Sequence, residues 1–176
     1  MKTCFLGLIL ITAPAFAQDA IKDALVKHWK ASADFTIAVA KAMPVENYNF
    51  RPNPEEMNFG QLMAHIAAAN LGACVRASAM ARPAIPEKIT AWLKDTNKID
   101  VEKDLAIQFL TDTFTFCNSA VASMTPEKLN AKLGPEGRQV TGFETLWSYF
   151  THTAHHRGQA EVYMRVKGIK PPDYVF

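Results

Sequence analysis

Beyond its first 17 residues the chain has no apolar run long enough to span the ~30 Å hydrocarbon core of a bilayer, so a multi-span membrane protein is excluded. It also lacks a clustered basic stripe. Its lysines and arginines are dispersed among nearly as many acids, with a net charge of +2, and a nucleic-acid binder needs neutralising charge gathered along one face. Cysteine is scarce, at three residues. There is no internal repeat, no low-complexity stretch and no segment that reads convincingly as a strand. With 49% hydrophobic and 20% charged residues, the composition is that of a folded chain. Its 176 residues suffice for one domain with a real core and fall short of two.

The first residues read as a cleavable signal peptide over 1–17. Lys2 provides the positive start, Phe5 to Ala13 a compact apolar run, and Ala15-Phe16-Ala17 a small-x-small cleavage site before Gln18. The run is short for a permanent anchor, which is the lesser alternative. Cys4 precedes the run rather than ending it, so lipoprotein processing does not fit. The mature domain, 18–176, is therefore expected to be exported, periplasmic or extracellular, with a net charge of about +1 once Lys2 is gone. Only Cys74 and Cys117 then remain. Each falls in the middle of an expected helix, where a reduced, buried thiol is the simpler reading, although such a compartment would let a disulfide persist.

Four long helical stretches account for nearly all of the mature chain. The first, about Asp19 to Met43, places Ile21, Leu25, Trp29, Phe35 and Val39 at helical intervals and stops before Pro44. Pro44, Pro52 and Pro54 stiffen the loop that follows. The second starts at Asn58, a capping side chain, and runs to about Met80 through an alanine-rich middle that lets a neighbouring helix come close; Arg82-Pro83 ends it. Pro86 to Asp95 reads as a short extra helix with Ile89, Trp92 and Leu93 on its apolar side. The third long helix runs from Asp100, as N-cap, to Met124, with Leu105, Phe109, Leu110, Phe114 and Val121 inward and Thr125-Pro126 as its stop. Gly134 to Gly137 is a loop. Thr141 and Glu144 form a capping box for the fourth helix, which continues to Lys167 before Gly168 and Pro171-Pro172. The expected fold class is all-α, a four-helix bundle.

Of five histidines, His28, His65, His152, His155 and His156, three crowd into one turn of the fourth helix. Positions four apart share a helix face, so His152 and His156 make a two-nitrogen clamp, with His155 turned aside. The same surface carries Thr145, Tyr149, Gln159 and Tyr163, where an inert helix would carry Leu or Val, and inward polar groups need partners. A clamp alone also arises on solvated faces, and His65, mid-way along the alanine-rich helix, is by itself as readily a hydrogen-bonded core residue. Together the three would suit zinc, nickel or a similar divalent ion with a coordination position left open. The zinc-protease motif is absent, because no Glu follows His152.

The segment His152-Thr153-Ala154-His155-His156-Arg157-Gly158-Gln159, continuing to Gly168 and Pro171-Pro172, resembles the C-terminal signature of the DinB-like (DinB/YfiT) superfamily. Asn58-Phe59-Gly60-Gln61-Leu62-Met63-Ala64-His65-Ile66 resembles that family's second-helix motif, and the likeness extends over essentially the whole mature chain. The resemblance implies a four-helix bundle, often dimeric, with a divalent metal on three histidines, which by motif position are His65, His152 and His156. His155 occupies a variable place, His28 matches nothing, and Arg157 is read as packing or pairing near the helix. Three functions remain open: a metal-dependent hydrolase or thiol transferase acting on a small molecule, with Tyr149 or Gln159 aiding orientation; a non-catalytic metal-binding or ligand-binding module; and a structural role with the histidines satisfied by hydrogen bonds. An enzyme should have a pocket reaching the metal and walled partly by the polar stripe.

Overall fold

The structure is a computed structural model that describes residues 13–96 and 99–174, with side chains from Ala20 onward. Residues 1–12 of the expected leader lie outside the described residues, and the backbone of 13–17 forms the start of the first helix. Four long helices dominate: α1 (Ala13–Ala42), α2 (Phe59–Ser78), α4 (Lys103–Ala122) and α6 (Gly142–Val166). Shorter helices α3 (Glu87–Lys94) and α5 (Pro126–Asn130) sit in the connections. None of the described helices is long and apolar enough to cross a membrane.

The helices do not follow one another around the bundle. Both α1 and α2 pack against α4 and α6, so α1 and α2 lie diagonally opposite. Gly60 lies against Val101 and Cys74 against Cys117, so α2 and α4 run parallel; Asn70 meets Thr153 and Arg76 meets Tyr149, so α2 and α6 run antiparallel. Parallel neighbours cannot be joined by a tight turn. A helix of 20 residues is ~30 Å long, and the segment from 79 to 102, with α3 inside it, returns the chain along that length.

Local chemistry sets the helix starts. Asn58, fully buried, accepts from Gln61 N at 2.8 Å while Gln61 Oε1 accepts from Asn58 N at 2.9 Å. This closed capping box extends the expected single cap. Asn58 Nδ2 also donates to Asp100 Oδ1 at 2.6 Å, and Gln61 Nε2 to the Ile99 carbonyl at 2.9 Å, so the start of α2 is tied to the approach to α4. Asp100 is therefore not the N-cap of α4: that place falls to Glu102, whose side chain makes no capping bond. Asp100 is occupied in holding Asn58. Gly60 is required beside it, since a Cβ there would collide with the Val101 carbonyl oxygen. The Thr141–Glu144 capping box forms as expected.

Other boundaries shift for physical reasons. α2 ends at Ser78 because Ala79 turns left-handed, φ 57°, before Arg82-Pro83 is reached. Thr125-Pro126 does not merely stop α4, which ends at Ala122. Thr125 caps α5, with Pro126 in its first turn, where a missing N–H costs nothing. Lys132–Leu133 and Val140–Thr141 pair as a two-residue antiparallel ladder around the Gly134–Gly137 loop, a strand too short to leave a periodic signal.

Two apolar clusters fill the bundle, one around Phe35, Val39, Phe59, Leu62 and Leu110, the other around Leu25, Trp29, Cys74, Cys117 and Leu146. Ile21 and Leu93, expected inward, are exposed, at the outer ends of their apolar stripes. The cysteines correct the reduced-thiol reading. Cys74 and Cys117 are bonded, with Cα atoms 5.5 Å apart, because the parallel α2–α4 pairing sets two mid-helix positions face to face. Sequence spacing carries no trace of that register.

Candidate metal centre

The α2–α6 seam brings together the histidines that the helix periodicity only placed on faces. His65 Nε2 lies 3.2 Å from His152 Nε2, and His152 Nε2 lies 3.0 Å from His156 Nε2. One ligand nitrogen from each of the three falls within 4.8 Å of the others. All three side chains are half-buried. Asn70 pins the two helices beside them: its Nδ2 donates to Thr153 Oγ1 at 2.7 Å, and Thr153 Oγ1 donates to the Tyr149 carbonyl at 2.9 Å. Neither Asn70 nor Thr153 was singled out in the sequence. The available signal was an Asn five residues after His65 and a Thr following His152.

The donor set fits a cation better than it fits a hydrogen-bonded cluster. Gln159 Oε1 accepts from His156 Nδ1 at 2.7 Å, so the His156 proton sits on Nδ1 and its Nε2 carries a lone pair. His152 Nε2 faces both His156 Nε2 and His65 Nε2 and has at most one proton to offer. Hydrogen bonding then depends on that one atom serving both contacts, whereas a cation would engage a lone pair from each ring. Two nitrogens each bound at 2.0–2.1 Å, at angles between square and tetrahedral, would lie roughly 2.9–3.4 Å apart, and the two short separations fall in that range.

Electrostatics keeps the rings neutral. Burial, and secondarily the neighbouring His156, lowers the pKa of His65. Burial followed by His156, His65 and His155 lowers that of His152 to about 4. Burial also lowers His156, partly opposed by the hydrogen bond to Gln159 and by the Glu56 carboxylate. Neutral imidazole is the form that binds metal.

The flanking residues take distinct places. Tyr149 lies with its ring 5.6 Å from that of His152 and its other neighbour Arg76 at 5.8 Å. Gln159 holds His156 directly. His155 is exposed and outside the convergent set, although its ring lies 4.9 Å from that of His156. Thr145 is buried, and Tyr163 donates to the Met57 carbonyl at 3.2 Å. Arg157 is buried and faces α1, donating to Ser32 Oγ at 3.0 Å and Thr36 Oγ1 at 3.3 Å, with Phe35 stacked 4.6 Å beneath it. It joins α6 to α1, and that position on the signature is one of packing.

The clefts divide unequally. A cleft of ≈ 330 Å³ between α1 and α6, lined by Ile21, Leu25, His28, Phe143, Trp147 and Phe150, contains none of the three convergent histidines. A smaller one of ≈ 220 Å³ adjoins the histidines through Gln159, and Glu56 in its wall had not been singled out in the sequence.

A bundle of this topology with three histidines converging between its second and last long helices defines a class of candidate divalent-metal proteins. Residues 28–160 match the DinB superfamily, and the chain belongs to it. Among its relatives is YjoA of Bacillus subtilis, 26% identical over 149 residues that cover 82% of this chain and 89% of YjoA. The crystal structure of that DinB-like protein superposes with a TM-score of 0.66 at 20% identity, covering 86% of this chain and 96% of its own. A DinB-like protein of Bacillus cereus gives 0.69 at 18% identity, covering 88% and 97%. YfiT of Bacillus subtilis, described as a probable metal-dependent hydrolase with an unusual four-helix bundle topology, gives 0.66 at 15% identity, covering 94% and 95%.

Proposed function

We propose that this chain holds one divalent metal ion on Nε2 of His65, His152 and His156 and uses it in hydrolysis or group transfer on a small molecule. The observation that carries the reading is the convergence of three imidazole nitrogens whose two short separations meet at His152 Nε2, an atom with at most one proton to offer. The description of YfiT as a probable metal-dependent hydrolase is consistent with it.

Such an ion, when bound, polarises a substrate oxygen or thiol and lowers the pKa of a coordinated group. The protein's own residues do the rest. Gln159 fixes the ring of His156 and the nitrogen that carries its proton. Asn70 and Thr153 hold α2 against α6, and Tyr149 covers one side of His152. We also infer export, on the leader over 1–17 and on the Cys74–Cys117 bond, which persists in an oxidising compartment.

A non-catalytic metal-binding module is the second reading, favoured by one observation. The larger cleft lies away from the histidines, and the cleft beside them is small. Elemental analysis of purified mature protein, followed by turnover of chromogenic esters and thiol-acceptor pairs with the metal removed and restored, separates the two. Stoichiometric metal with metal-dependent turnover supports the enzyme, and stoichiometric metal without turnover supports the module. Absence of bound metal after reconstitution rejects both.

A further inference from the structure

The cleft beside the histidines has a chemical character of its own. Its walls are Pro52, Asn53, Glu56, Gln159, Val162 and Tyr163, and Glu56 is the one formally charged residue among them. The loop bearing Glu56 is stiffened by Pro52 and Pro54 and closed by Glu56 N donating to the Asn53 carbonyl at 3.0 Å and Glu55 N to Asn53 Oδ1 at 3.1 Å. The Glu56 carboxylate itself has no hydrogen-bond or ion-pair partner among the described residues. It stands close enough to His156 to oppose the downward shift that burial gives that ring, and close enough to Tyr163 to add to the upward shift from burial, against a smaller opposing effect of Arg51.

Gln159 joins this cleft to the histidines. Its Oε1 is committed to His156 Nδ1, which turns its amide N–H donors away from the ring. The tyrosine hydroxyl donates to the Met57 carbonyl and keeps only its acceptor capacity. What remains for a ligand is therefore a carboxylate carried on a stiffened loop, the Tyr163 hydroxyl oxygen as acceptor, an amide donor and apolar walls from Pro52, Val162 and the Tyr163 ring.

We propose that this cleft is the recognition subsite for the protonated amine of a small substrate, which Glu56 pairs while the apolar walls take the adjoining carbon skeleton. Its place as a substrate subsite rests on reading the histidine triad as the metal centre; the amine preference itself does not. The substrate class is thus an amine-bearing small molecule whose other end, an oxygen or thiol group, reaches the three histidines. Neutral and anionic analogues of the same shape lose the charge-assisted bond to Glu56.

The test uses the full mature protein, both metal-free and reconstituted, and follows amide resonances, including the Gln159 side chain, during titration with benzylamine, benzyl alcohol and benzoate. Wild type is expected to bind the ammonium roughly tenfold more tightly than the alcohol, the effect of one partly exposed charge-assisted hydrogen bond. Glu56→Gln should bring that ratio close to one, and Glu56→Lys should favour benzoate, both with wild-type metal content. Equal binding of the three probes by wild type, a ratio unmoved in Glu56→Gln, shifts confined to the Phe143–Trp147 cleft, or no binding at all would overturn the proposal. Because the metal-free arm reads the amine preference alone, failure of the metal reading and failure of the subsite give different results. Glu56 is exposed, so neither substitution threatens folding.

Discussion

Helix α2 presents two unlike seams. Toward α4 it offers Cys74, with a disulfide to Cys117 across the contact and a glycine at its start that admits the facing backbone. Toward α6 it offers His65 and Asn70 against His152, Thr153 and His156. The first seam is stable by itself, through apolar burial and a covalent link. The second is not: Asn70 Oδ1 and His152 Nδ1 are both buried without a hydrogen-bond partner among the described residues, and three ring nitrogens crowd one point. Buried polar groups left unpaired cost about 1–3 kcal/mol each. One helix therefore supports the fold on one face and spends stability on a site with the other.

The comparison breaks most visibly at the disulfide. Replacing Cys74 and Cys117 together by alanine should lower unfolding free energy by about 4 kcal/mol, the loop-entropy value for a separation of 43 residues. Urea titration at fixed metal occupancy measures it, and metal stoichiometry should stay at the wild-type value because the histidines lie on the other seam. His152→Ala acts in the opposite sense. It should weaken metal binding by more than the roughly 10–100-fold that loss of an outer hydrogen-bond partner costs, while the metal-free protein keeps or gains stability. Chelator competition together with urea titration reads both. Gln159→Leu, which removes only the acceptor for His156 Nδ1, should fall within that 10–100-fold range, and Gln159→Glu should restore most of it.

The remaining effect is in pH. His152 has its pKa lowered from an unfolded value of 6.5 to about 4. Between those values the unfolded chain binds more protons than the folded one. The metal-free protein should therefore hold this contribution above pH 6.5 and lose it progressively as pH falls through about 4. The urea midpoint measured from pH 7.5 down to 4.5 should decline in wild type and decline less in His152→Ala.

The two seams also differ in how far the sequence foretold them. His65, His152 and His156 were legible because a four-residue spacing fixes a helix face, and the resemblance of the Asn58–Ile66 and His152–Gln159 segments paired the two helices. The capped starts at Asn58 and Thr141 were legible for a similar reason, since capping is local chemistry. The disulfide was not, because it depends on the parallel register of α2 and α4, a property of the whole bundle. Asp100 misled as a cap because its side chain serves Asn58 across 42 positions of sequence. Glu56 drew no notice because nothing in the Pro52–Glu56 loop says that it folds over the last helix.

The metal content of the purified, reconstituted protein, measured beside that of His65→Ala, tests the account most directly. A nitrogen from α2 completing a site on α6 predicts about one divalent ion per wild-type chain and near-complete loss in the variant, with helical content unchanged. Equal metal content in the two proteins would contradict it.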